Sequence, residues 1–262
     1  MSRRRALLPR VRDCVDVHIS AGRCPAQLGW YRFAAGLVAG KRVLGVGSGM
    51  GAELEVLKSG AAVAHGLEVD PRLGSPDVII GDISEVPGNA YDVVVCIDVL
   101  EHVADDHVFL RDLFRVAREL VLVTTPNWSA SRSWNEYHRR EYTPRGFRRL
   151  LTGHSVRLFK GDEDGTTVSE ETRPSWYDAL NDVYNSRLTR WPAKAANRVL
   201  GFIWPHQAAL VMLKPQPALP CHRPDGACGA SLSVDAREGH GSARGAEGVG
   251  PCLNQTKGAW KP

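Results

Sequence analysis

Three glycines at alternate positions, Gly47, Gly49 and Gly51, follow directly on the apolar residues Val43, Leu44 and Val46, and a helix-permissive segment begins at Ala52. A strand that breaks into alternating glycines before a helix forms a nucleotide cradle. Glycine adopts dihedrals that other residues avoid, and the missing side chains let a ligand lie against bare N–H groups. Taken alone, the cluster is also what a tight strand–helix turn without a ligand would show. Gly47-Ser48-Gly49-Met50-Gly51-Ala52 fits the dinucleotide pattern G-x-G-x-x-A, and Glu68 stands at the distance of a ribose-binding acid. Further on, His102 sits at an expected strand-end turn, and its imidazole titrates near neutrality, which suits a general base.

Periodicity predicts the elements that must position these residues. A helix over residues 26–38, closed by Gly40, leads into a strand over 41–46. Beyond the glycines the pattern predicts a helix over 52–58 and strands over 61–69, 77–80 and 91–97. Val93, Val94 and Val95 form a continuous apolar run, as in a strand buried on both faces. A helix over 103–120, a strand over 120–124 and a helix over 143–151 follow, the last opened by Thr143 as N-cap and Pro144. A sixth strand over 156–159, helices over 175–188 and 193–202 and a seventh strand over 207–213 complete the pattern. This alternation predicts right-handed βαβ units. The fold class is α/β: a Rossmann-like, doubly wound, mostly parallel seven-stranded sheet with helices on both faces. A basic arm with the N-terminal helix occupies residues 1–40, and a disordered, low-complexity tail occupies 215–262.

Composition bounds the function. The chain has 262 residues, 43% hydrophobic and 24% charged, as in an ordinary globular protein. Its net charge of +4 is too small to argue for nucleic acid. Six cysteines without a CxxC pair favour free thiols in a reducing compartment, and Cys96, expected inside a strand, does not suit a nucleophile. No apolar run approaches the roughly 18 residues of a membrane span, and the apolar stretch near Met1 is too short for a signal peptide, so a cytoplasmic location is expected.

Val43-Leu44-Gly45-Val46-Gly47-Ser48-Gly49-Met50-Gly51, Gly66-Leu67-Glu68, Gly81-Asp82, Tyr91 to Val95 and Leu100-Glu101-His102-Val103 resemble, in order and spacing, the successive motifs of class I S-adenosylmethionine-dependent methyltransferases. The resemblance spans about residues 41 to 151, more loosely to 214, and makes 41–214 the cofactor-binding domain. It implies S-adenosyl-L-methionine as cofactor, held by Gly45, Gly47, Ser48, Gly49, Gly51, Glu68, Asp82, Ile83 and Asp98. The glycine turn would take the amino-acid end and Glu68 both ribose hydroxyls, since a carboxylate offers two acceptor oxygens. Asp82 would accept from the adenine amino group and the Ile83 N–H would meet a ring nitrogen. The segment at Asp98 and Leu100 to Val103 separates this reading from a nicotinamide-dependent oxidoreductase, which has no reason to carry it.

The same resemblance adds Asp98 and His138 to His102 as catalytic residues, with His102, by its place and its imidazole, as base. It points to methyl transfer to a hydroxyl of a small or lipid-linked metabolite. Tyr137, His138 and Tyr142 would face this small-molecule acceptor, and Arg139, Arg140, Arg145, Arg148 and Arg149 read as a solvated face. A nucleic-acid substrate is not expected, because Asp98-Val99-Leu100-Glu101 lacks the Asn/Asp-Pro-Pro-aromatic turn of an exocyclic-amine methylase. Asp98, Glu101 and His102 also resemble the E-x-x-E-H segment that binds magnesium in ubiquinone-biosynthesis O-methyltransferases. With Asp for the first Glu and a His among hard oxygen ligands, no metal is expected. Gly45 stands where the family usually has an acid, which leaves open a cofactor-binding pseudoenzyme. The sequence sets no oligomeric state.

Overall fold

The computed structural model describes residues 23–51, 53–132, 135 and 137–213. Residues 1–22, most of the expected basic arm, and the expected tail over 215–262 lie outside the described residues. Helix α1 (Pro25–Ala35) starts with proline at its first position and with the Gln27 side chain accepting from the Cys24 N–H at 3.2 Å. It buries Trp30, Tyr31 and Ala34. Next come β1 (Arg42–Val46), a short α2 (Leu54–Lys58), β2 (Val63–Glu68), β3 (Val78–Ile80) and β4 (Tyr91–Cys96). Helix α3 (Asp106–Val116) runs directly into β5 (Ala117–Pro126). The second half holds α4 (Trp128–Ser131), α5 (Pro144–Leu150), β6 (Ser155–Gly161), β7 (Val168–Glu170), α6 (Pro174–Asn185), α7 (Arg190–Leu200) and β8 (His206–Met212).

The strands form one sheet in the order β3-β2-β1-β4-β5-β8-β6-β7. The first five pair in parallel, whereas β8 runs antiparallel to β5 and β6, and β7 antiparallel to β6. From β1 the chain crosses to β2 on one side, and from β4 to β5 on the other. Right-handed crossovers therefore put α2 and α3 on opposite faces. Val43 to Val46 and Val93 to Cys96 are buried without alternation, as strands covered on both faces require. The order reverses between β1 and β4, and a crevice opens beyond their carboxyl ends.

The doubly wound α/β sheet is thus as expected, with eight strands rather than seven. The added strand, β7, is a three-residue Val-Ser-Glu segment too short to show a period-2 pattern, and it forms a hairpin with β6. The hairpin loop docks on the start of α1 through Gly165. Its φ is +64°, and a Cβ there would lie 1.9 Å from the Pro25 carbonyl oxygen. The helix expected over 103–120 is shorter at both ends. Asp105 caps it by accepting from the Val108 N–H at 3.0 Å, and at Ala117 the backbone turns extended with no intervening loop.

Asp106, buried at the start of α3, ties down the segment that follows β5. It accepts from the Tyr142 hydroxyl at 2.8 Å and from Arg140 Nη1 at 2.8 Å. Burial alone would raise its pKa, but the Arg140 and Tyr142 donors hold it below the ordinary value. Its folded pKa lies below the unfolded one, so its stabilisation is complete above the unfolded carboxylate range, about 3.9, and is lost as pH falls through the lower folded value. Asp106→Ala is expected to lower unfolding free energy by about 2 kcal/mol at neutral pH, the scale of hydrogen bonds to a charged group. Urea melts of wild type and variant should converge in acid; an equal difference at all pH values would contradict this assignment.

Candidate active site

A cavity of about 520 Å³ occupies the crevice beyond β1, β2 and β4. On the β1 side its wall is the glycine turn. Gly47 has φ +69° and Gly49 φ +60°, and a Cβ on Gly47 would lie 2.2 Å from Val99 Cγ2. Both the dihedral and the contact exclude a side chain there. The Gly49 N–H donates to the Glu68 carboxylate, which stands at the end of β2 and lines the cavity. Burial pushes the Glu68 carboxyl above its ordinary value, against the opposing pull of the Gly49 N–H and Arg23. Asp82 caps a 3₁₀ turn, accepting from the Ser84 N–H at 2.9 Å and its hydroxyl at 2.6 Å, and keeps an exposed place on the cavity rim beside Ile83.

Of the nine residues assigned to the cofactor, the cavity gathers Gly47, Gly49, Glu68, Asp82, Ile83 and Asp98; Gly45, Ser48 and Gly51 stand behind its wall. A Cβ on Gly45 would point at Leu54 Cδ2, 3.1 Å away, with Ser48 Cβ at 3.7 Å and the His65 carbonyl at 3.8 Å. The position therefore faces the packing of β1 on α2. Ser48 Oγ is buried there with no hydrogen-bond partner among the described residues.

A residue that sequence reasoning overlooked adds charge to the wall. Arg23, read as part of a solvated arm, has a side chain only 6% exposed. It donates to the Gly47 carbonyl, lies 3.9 Å from Glu53 and 5.8 Å from the Tyr31 ring centre, and lines the cavity. Burial works against its charge, but Tyr31, Glu53, Glu68 and Asp98 together hold its pKa above the ordinary value. Burial also pushes the Tyr31 phenol up to about 12. The Cys24-Pro25 helix start was the available signal: the residue before such a start is fixed in space and does not belong to a free arm.

Beyond β4 the chain turns sharply. Asp98 has φ +52° and is fixed by Thr124, whose Oγ1 accepts from the Asp98 N–H at 3.0 Å and donates to its carboxylate at 2.6 Å. His206 Nδ1 lies 3.9 Å from the other carboxylate oxygen. His102 lines the cavity, and its Nδ1 sits 3.1 Å from the Tyr137 carbonyl. A carbonyl only accepts, so Nδ1 carries a proton, and in the neutral ring the lone pair is then on Nε2, the tautomer of a base or a ligand.

Behind His102 lies a buried acid–imidazole cluster. Glu101 is fully buried; Thr125 donates to its Oε2 at 3.1 Å, while Oε1 has no hydrogen-bond partner among the described residues. His138 Nε2 is 4.0 Å from that oxygen, and its Nδ1 bonds Glu141, which in turn accepts from Ser131. The His102 and His138 rings meet edge to face at 4.9 Å. Burial, reinforced by Asp98, pushes the Glu101 carboxyl well above the carboxylate range. Such a carboxylate calls for a proton, an imidazolium or a cation at Oε1. Ligand atoms of Glu101, His102 and His138 all lie within 4.8 Å of one another. The candidate metal group is thus built with His138, not with Asp98 as the E-x-x-E-H resemblance implied.

Tyr137 and the exposed Arg139 also line the cavity. Tyr142 does not face it: its hydroxyl is spent on Asp106. Of the arginines read as a solvated face, Arg140, Arg145 and Arg148 are instead ion-paired with Asp106, Asp182 and Asp178. No helix among the described residues is long and apolar enough to cross a membrane.

Comparison with known proteins agrees with this geometry. The sequence model of the family described as "Methyltransferase domain" matches residues 26–159, about half of the 262-residue chain. Among curated proteins, the ubiquinone biosynthesis O-methyltransferase of Bordetella parapertussis is 33% identical over 109 residues, 36% of this chain and 45% of that protein. That of Bordetella avium is 31% identical over 102 residues, 33% of this chain and 42% of that protein. The chain thus spans less than half the length of these curated relatives. Among solved structures, a SAM-dependent methyltransferase from Archaeoglobus fulgidus superposes with TM-score 0.52 at 17% identity, over 75% of this chain and 97% of that one. A SAM-dependent methyltransferase from Thermotoga maritima, described as a possible histamine N-methyltransferase, gives TM-score 0.52 at 11% identity, over 78% and 96%. The dinucleotide reading of the glycine turn drops out. The chain belongs to the methyltransferase-domain family, and its fold is that of the S-adenosylmethionine-dependent methyltransferases.

Proposed function

We propose that the protein transfers the methyl group of S-adenosylmethionine to a hydroxyl of a small or lipid-linked metabolite. The observation that carries this reading is His102 on the cavity wall, with its proton held on Nδ1 by the Tyr137 carbonyl and its lone pair on Nε2. The site fits the cofactor on three counts: a turn that a Cβ would fill, Glu68 at the end of β2, and the buried Arg23 guanidinium. Glu68 would hold the ribose diol, Asp82 and Ile83 the adenine edge, and Arg23 the carboxylate of the amino-acid end. When bound, the sulfonium supplies a methyl group that is already activated. The protein then contributes alignment, exclusion of water and removal of the acceptor's proton, the last by His102 Nε2. Asp98, held through its N–H and its carboxylate by Thr124, would shape the wall at the reacting end.

Gly45 does not by itself favour a pseudoenzyme, because a Cβ there would meet Leu54 at 3.1 Å and the residue is not part of the cavity lining. Incubating the protein with methyl-labelled cofactor and a metabolite extract tests the activity. Label in an ether of a small or lipid-linked hydroxyl compound supports the proposal, and label confined to amine products or to none refutes it.

A second reading has its own observation: Glu101 Oε1 has no hydrogen-bond partner among the described residues and lies in a group with the His102 and His138 imidazoles. Two nitrogen ligands and one oxygen suit a first-row divalent ion better than magnesium. Such an ion would supply Lewis-acid activation of the hydroxyl. Elemental analysis of the purified protein is then expected to show about one equivalent of metal, lost in Glu101→Gln and on chelation together with most of the turnover. Metal-free protein with full turnover would remove this reading and leave His102 as base alone.

A further inference from the structure

Helices α6 and α7 carry their apolar residues outward. On α6 the buried face is polar: Asp178 pairs with Arg148, and Tyr177 and Asn181 both bond the Asn127 side-chain amide. The opposite stripe is Trp176, Leu180 and Val183, at positions i, i+4 and i+7, with Trp176 68% and Val183 49% exposed. On α7, Ala193 is buried while Trp191 and Val199, two turns apart on the other side, are 72% and 84% exposed. Leu188, in the connection between the helices, is 93% exposed. A helix at a protein–water boundary shows the reverse polarity, and apolar surface of this extent marks an interaction site.

Charge selects the partner. Residues 173–200 contain five basic side chains (Arg173, Arg187, Arg190, Lys194 and Arg198) and two acidic ones, Asp178 and Asp182. Both acids are already paired with arginines of α5. Lys194 and Arg198 stand on α7 beside the Trp191–Val199 stripe, exposed at three and seven residues beyond Trp191. Tryptophan and aliphatic side chains bordered by long cations are the composition of a helix lying in a bilayer interface. The indole sits at headgroup depth, and the cations reach anionic phosphates. A soluble protein partner would need acidic groups placed to match, whereas an anionic lipid surface offers negative charge everywhere.

We propose that the α6–α7 pair docks the protein on an anionic bilayer surface, with Trp176, Leu188, Trp191 and Val199 entering the interface and Lys194 and Arg198 contacting headgroup phosphates. This surface is separate from the cofactor cavity, whose lining includes none of these residues. The proposal does not depend on the acceptor's identity.

Flotation of the full-length protein with vesicles provides the test. The protein is expected to float with phosphatidylcholine–phosphatidylglycerol vesicles and not with phosphatidylcholine alone. Lys194→Glu combined with Arg198→Glu should weaken binding by about tenfold or more. Trp176→Ser combined with Trp191→Ser should do likewise while leaving S-adenosylhomocysteine affinity unchanged, which shows that the variant is folded. Absence of flotation with either vesicle overturns the proposal, as does flotation that survives both double variants. So does flotation abolished by deleting residues 1–22 but kept in the tryptophan variant, which would assign the membrane contact to the basic N-terminus. A dimer seen by light scattering that dissociates in the tryptophan variant, without vesicle binding, would assign the face to a second copy.

Discussion

Replacing His102 by alanine is expected to lower turnover by about 10²–10⁴-fold while leaving S-adenosylhomocysteine affinity nearly unchanged. The split follows from where the imidazole stands. It lines the cavity beyond β4, whereas the residues assigned to the ribose and to the amino-acid end follow β1 and β2. Its Nδ1 is occupied by the Tyr137 carbonyl, so Nε2 alone can take the acceptor's proton. The imidazole does not cap the next helix, because Asp105 performs that task. Loss of the ring therefore costs proton removal rather than helix stability, and the thermal midpoint should move little. A variant that binds cofactor normally and keeps wild-type turnover on an identified acceptor would take His102 out of the chemistry. A variant that loses cofactor affinity as well would show that the ring props the cavity wall.

Glu68→Ala is expected to weaken S-adenosylhomocysteine binding by about 1.5–3 kcal/mol, roughly ten- to a hundredfold. Two effects combine. The variant loses a charged acceptor for the ribose hydroxyls, and it releases the Gly49 N–H that the carboxylate now holds. Burial raises the Glu68 pKa, so protonation on acidification begins at a higher pH than for an exposed glutamate, whose value is about 4.3. A protonated carboxyl accepts less well, so wild-type affinity should fall as pH drops through that raised value, and the alanine variant should show no such fall. Calorimetric titrations across mildly acidic pH read both effects. Equal affinity in the two proteins, or the same pH profile, would remove Glu68 from the ribose contact.

The parts of the site that could be read in the sequence are those built from one strand and its following turn. Gly47, Gly49, Glu68, Asp82 and Asp98 each stand one to three residues beyond an apolar run, so local pattern alone puts them at the carboxyl edge of the sheet. What could not be read depends on contacts between distant segments. Arg23 reaches the turn from before α1, across 24 positions of sequence. The buried polarity of Glu101 needs Thr125 and His138, brought together only by β5 and the loop after it. Tyr142 has the residue type of a substrate contact but is captured by Asp106, 36 positions earlier. In α6 the apolar periodicity is plain in the sequence, yet periodicity gives the stripe and not its direction. A core-facing stripe is the ordinary outcome, and here the polar face turned inward because Asn127 and Arg148 were there to satisfy it. Strand β7 was invisible for a simpler reason: three residues held by a hairpin need no hydrophobic pattern of their own.

The crevice between β1 and β4 is expected to hold S-adenosylmethionine through the Gly47–Gly49 turn, Glu68 and Arg23. Isothermal titration of the full-length protein with S-adenosylhomocysteine, and separately with NAD, tests it most directly. The expected result is one S-adenosylhomocysteine per chain, weakened both in Glu68→Ala and in Arg23→Ala, with no heat from NAD. Binding of NAD in place of S-adenosylhomocysteine, or no S-adenosylhomocysteine binding even at millimolar concentration, would contradict the account.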